Sequence, residues 1–143
     1  MTINEGSEIV PLDVLCGLLD PQGDADVPDD YNRVQLLTEM AYRDLVFNWY
    51  DKSYLDYGSL SKDFPLCMDF AKICASDVLR GSVKLGLAVR PAFGILSYTK
   101  TSKSRHAINW AVTVDRRISF YEPQKNEWLA QPKECKTMDR FQL

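Results

Sequence analysis

Apolar positions along the first part of the chain recur at steps of three and four, and beyond residue 90 the step shortens to two. In IVPLDVLCGLLDPQG, Leu12, Leu15, Cys16 and Leu19 fall on one side of a helix. Pro11 suits its first turn, where a missing N–H costs nothing, and Pro21 and Gly23 end it. The stretch YNRVQLLTEMAYRDLVFNWY predicts the largest packing helix, residues 31–50, with Asp29 or Asp30 as its N-cap. Its stripe runs through Val34, Leu37, Ala41, Leu45 and Asn48, widened by Met40, Phe47 and Trp49. FPLCMDFAKICASDVLR predicts another helix over 64–80, capped by Asp63, with Pro65 in the first turn and Gly81 as its stop. Cys67, Phe70, Ala71, Cys74 and Val78 share its buried face.

Three strands then read out over 92–98, 106–114 and 118–122 (AFGILSYTK, HAINWAVTV, ISFYE). The tail KNEWLAQPKECKTMDRFQL has no clear period. Helices first and antiparallel strands afterwards predict an α+β fold, with N-terminal helices packed against a C-terminal antiparallel sheet. A length of 143 residues suits one domain, 1–143, with a real core.

Composition narrows the function classes. Hydrophobic residues at 45% and charged residues at 26% fit a folded chain, not a disordered one. A net charge of -3 gives no electrostatic case for nucleic acid or an anionic membrane surface. No apolar run approaches the roughly 20 residues of a membrane span, and MTINEGSEIV lacks the pattern of a secretory leader. The expected partner is a peptide or protein substrate, with no nucleic acid and no membrane, and the expected location is cytoplasmic. Cys16, Cys67, Cys74 and Cys135 lack the close pairs of a zinc knuckle and are expected as reduced thiols. The acidic loop DPQGDADVPDD misses the glycine and glutamate of an EF-hand. No cofactor or metal is expected.

The candidate chemistry lies in three residues. Cys67 stands near a helix N-terminus, where unpaired N–H groups and the helix dipole stabilise a thiolate. His106, the one histidine, opens a strand on the face shared by Ile108, Trp110, Val112 and Val114. Glu122 ends the next strand on the face of Ile118 and Phe120, with Gln124 as a second orienting candidate. Each residue also has a plain structural use: a small core hydrophobe for Cys67, a buried hydrogen-bonded pair for the other two. A zinc site from Cys67, His106, Glu122 and another cysteine is a further alternative, although no spacing calls for it.

Cysteine on the packing helix, then histidine at a strand start, then a carboxylate on the neighbouring strand: carried by PLCMDF, HAINWAV and FYEPQ, this order resembles the papain-like and transglutaminase-like cysteine peptidase superfamily. It is similar also to the small papain-like domain attached to a fungal galactose-binding lectin, which uses Cys, His and Glu in this order. The resemblance spans roughly residues 60–125. It implies Cys67 as nucleophile, His106 as acid and base, and Glu122 as the group that orients the ring, in hydrolysis of a peptide or isopeptide amide. The alternative is an inactive papain-like scaffold acting as an interaction module, whose signs are an enclosed Cys67 and a remote His106. Two features depart from the family pattern. YGSLSKDFPLC lacks the glutamine that helps bind the oxyanion, leaving the Cys67 N–H with Tyr57, Ser59 or Ser61. A tight turn centred on Arg116 places Trp110, not His106, opposite Glu122.

Overall fold

The computed structural model describes residues 2–28, 30–53, 55 and 66–143. In chain order it contains β1 (Glu8–Pro11), α1 (Leu12–Leu19), β2 (Asp24–Asp26), β3 (Arg33–Leu36), α2 (Glu39–Trp49) and α3 (Cys67–Lys84). Then follow β4 (Phe93–Lys100), β5 (Arg105–Val112), β6 (Ile118–Glu122), β7 (Glu127–Leu129) and β8 (Cys135–Gln142). Among the described residues, no helix is long and apolar enough to cross a membrane.

Six strands form one sheet in the order β2-β8-β4-β5-β6-β7, and β1 pairs with β3 separately. All neighbours in the larger sheet are antiparallel except β2 and β8, so the sheet is mixed. Both of its faces are covered. Leu15 and Leu19 of α1 pack with Leu96, Ile108, Trp110, Val112, Phe120 and Phe141 on one side. Tyr42, Leu45 and Val46 of α2, with Cys74 and Val78 of α3, pack with Phe93, Ala111 and Tyr121 on the other. This double burial explains why β5 reads as an almost continuous apolar run.

The expected α+β class holds, with helix boundaries that differ from expectation. The helix predicted over 31–50 begins only at Glu39. Val34 to Leu37 is an unbroken buried run, which suits a strand covered on both faces better than a helical stripe. Arg33–Leu36 accordingly pairs with β1. The cap is Thr38, whose hydroxyl accepts from the Ala41 N–H at 3.1 Å. Asp30 lies outside the helix, and Asp29 lies outside the described residues. Met40 and Phe47 do not widen the buried stripe: they are 59% and 76% exposed, and Tyr42 and Val46 take the core positions instead.

The next helix runs to Lys84, so Gly81 does not stop it. A Cβ on Gly81 would stand 2.4 Å from Cγ of Trp49, so the glycine is there to seat an indole from α2. The helix ends at Leu85, followed by Gly86 at φ +78°. Asp63 and Pro65 lie outside the described residues. Cys67 is the first helical residue, and the Asp69 carboxylate accepts from the Leu66 N–H at 2.9 Å just before it. The aperiodic tail supplies β7 and β8, the latter inserted between β2 and β4 with Phe141 fully buried.

Candidate active site

α3 lies across β5 with its first turn at the end of the strand where His106 stands. The His106 ring and the backbone N–H groups of Ala107 and Met68 lie close enough to Cys67 to lower its pKa, the ring most of all. The ring's hydrogen-bond partner is Glu122, with Nε2 to Oε1 at 2.7 Å. Glu122 therefore holds Nε2, and Nδ1 is the ring nitrogen left for a second partner. Cys67 is half-buried, while the His106 and Glu122 side chains are only 14% and 8% exposed.

The register explains how His106 and Glu122 meet. The turn between β5 and β6 closes with the Thr113 N–H on the Arg117 carbonyl at 2.9 Å, with Arg116 at φ +64°. Trp110 then stands opposite Phe120, not Glu122, and Asn109 opposite Tyr121. One further step puts Glu122 across from Ile108 and diagonal to His106 on the same face. A glutamate side chain spans that diagonal, so no bulge in β5 is needed. Gln124, exposed beyond the strand end, does not hold the ring.

Electrostatics set the thiol and the imidazole against each other. The hydrogen bond from His106 holds the Cys67 pKa below its usual value, helped by the Ala107 and Met68 N–H groups and opposed by partial burial. The bonds to Cys67 and then Glu122 raise His106 to about 9, against the burial that alone would lower it. Both shifts move the pair towards thiolate beside imidazolium. The other cysteines lack this setting. Burial pushes the Cys74 thiol well up, with Asp77 adding to it. Burial raises Cys16 and Cys135 as well, each with an aspartate nearby.

The sequence reading did not single out several contributors. Tyr98, directly opposite His106 on β4, meets the ring edge-on with centroids 5.6 Å apart. The backbone N–H of Ala107, next in sequence to His106, also lowers the Cys67 pKa. Only an adjacent-strand register makes either visible. Tyr57, Ser59 and Ser61, proposed to assist at an oxyanion, lie outside the described residues. Among the described residues no group of three or more His, Cys, Asp or Glu side chains is arranged to hold a metal ion, so the zinc alternative gains no support. Glu122 Oε2 is buried without a hydrogen-bond partner among the described residues.

No family model matches the chain, and no curated protein matches it. Solved structures do. The PSL1a–E64 complex is similar with a TM-score of 0.75 and 18% identity, over 94% of this chain and 51% of that one. The Polyporus squamosus lectin bound to a human-type influenza-binding epitope is similar with a TM-score of 0.62 and 20% identity, over 96% of this chain and 49% of that one. The chain thus spans about half the length of each. N-terminal helices against a large mixed sheet, matched over nearly the whole chain, are the papain-like α+β fold, which this protein shares with PSL1a and the Polyporus squamosus lectin.

Proposed function

We propose that the chain is a cysteine-dependent hydrolase of peptide or isopeptide amide bonds. The observation that supports this reading is His106 held by Glu122 at 2.7 Å, with the same ring the largest influence lowering the Cys67 pKa. The Cys67 thiolate adds to the amide carbonyl carbon, forming a C–S bond and a tetrahedral oxyanion. As the oxyanion collapses, the C–N bond breaks and the His106 imidazolium gives its proton to the leaving nitrogen. Water then adds to the thioester while neutral His106 takes its proton. The C–S bond breaks, and the thiolate–imidazolium pair is restored. Glu122 keeps the ring's tautomer and direction throughout. An amine in place of water would give transamidation at the same atoms.

The scaffold alternative calls for an enclosed sulfur and a distant imidazole. A half-buried thiol whose pKa is lowered chiefly by the His106 ring favours the hydrolase. Turnover of a peptide and isopeptide library, together with labelling by E64, an epoxide that alkylates activated thiols, tests the proposal. Wild type is expected to turn over a subset of substrates and to take up E64 at Cys67. Cys67→Ser and His106→Ala should abolish turnover with the circular dichroism spectrum unchanged. Glu122→Ala should lower kcat by about 10² or more, the scale of a lost acid–base arrangement. Equal turnover by wild type and Cys67→Ser would overturn it.

A further inference from the structure

The reacting pair is split between two elements, so its geometry depends on how α3 sits on β5. Three residues of β5 face the helix: Ala107, Asn109 and Ala111. Two are alanines, which let the helix approach closely but resist sliding weakly. The third is an amide with no solvent exposure at all. Its Nδ2 donates to the Ala71 carbonyl at 2.9 Å and to the Gly94 carbonyl at 3.2 Å. Both neighbours are acceptors, so the chemistry fixes which way the amide points. Its Oδ1 is buried without a partner among the described residues.

Leaving a buried acceptor unpaired costs stability, and an apolar residue of similar volume would avoid that cost. The bonds it makes are positional. Ala71 lies one turn beyond Cys67 on the same helix face, Gly94 lies on β4, and Asn109 is three residues from His106. One amide thus ties the thiol's helix to the strand pair that carries the imidazole. Hydrogen bonds weaken steeply with displacement, whereas alanine packing does not. Resting on the hydrolase reading, we infer that Asn109 is a positioning residue, pinning the register of α3 along β5 so that Cys67 stays beside His106.

The test reads thiolate formation, independently of any substrate. Iodoacetamide alkylation of Cys67 is followed by mass spectrometry across pH in wild type, Asn109→Ala and Asn109→Leu, the last filling the volume with apolar atoms. Cys74→Ala is the control for loss of packing in the same seam, since Cys74 is fully buried there without touching the thiol. In both Asn109 variants the acid limb should move up towards the ordinary thiol value, and the rate at pH 7 should fall about tenfold. Cys74→Ala should lower the melting temperature and leave that limb in place. Asn109 variants that melt lower but keep the wild-type limb would overturn the positioning role and leave the hydrolase standing. An ordinary thiol titration in wild type would overturn both. Failure of both Asn109 variants to fold would also overturn it, because the amide would then serve the fold and not the register.

Discussion

At the scale of single residues, the use of glutamate to orient the imidazole has a measurable signature. A neutral amide in that place supplies direction alone, whereas a buried carboxylate also supplies charge to the ring. His106, raised to about 9 by Cys67 and then Glu122, stays protonated well beyond the usual imidazole range. Glu122→Gln keeps a hydrogen-bonding group and removes the charge. The alkaline limb of kcat/KM, near pH 9 in wild type, should therefore fall by about one unit in that variant. The acid limb follows the coupled Cys67–His106 pair and lies below the thiol's usual value. The folded-state pKa of His106 is raised from 6.5 to about 9, so its contribution to stability is complete below 6.5 and lost as pH rises to about 9. The melting-temperature gap between wild type and Glu122→Gln should accordingly narrow between those limits. A limb that does not move on substitution would mean that Glu122 acts by direction only.

At the scale of elements, the legible features were those decided by local period. Alternation in HAINWAVTV and ISFYE gave strands that match the observed ones to within two residues, and Cys67 does open a helix. Parity put His106 and Glu122 on one face, as found. What failed had non-local causes. RVQL is a strand because β1 is there to pair with it, and nothing within the segment announces that partner. CKTMDRFQ looks aperiodic because its bulged pairing with β4 breaks the alternation twice. Gly81 reads as a terminator in sequence but answers to Trp49 on another helix. Gly81→Ala should raise helix propensity and still destabilise the protein, because the methyl group collides with the indole. A loss of about 1–3 kcal/mol in urea denaturation is expected, the scale of overpacking in a tight seam. Unchanged or increased stability would show that Trp49 can move aside at no cost.

At the scale of the whole molecule, the ladder β2-β8-β4-β5 ties early residues to late ones. Asp24–Asp26 runs parallel to Arg140–Gln142, and Phe141 is fully buried in the core that Leu15 and Leu19 also enter. Pairings that distant in sequence slow folding, because loop-closure entropy is lost before the contacts reward it. For a chain leaving the ribosome, the thiol and the imidazole are both made while β4 still presents one bare edge, awaiting β8. A nascent chain should therefore carry Cys67 as an ordinary thiol until β8 is released, and acquire its reactivity as that strand docks. Refolding from urea, sampled by brief iodoacetamide pulses, should show rapid alkylation of Cys67 at neutral pH arising together with burial of Trp110, the indole that donates to the Gln142 carbonyl of β8.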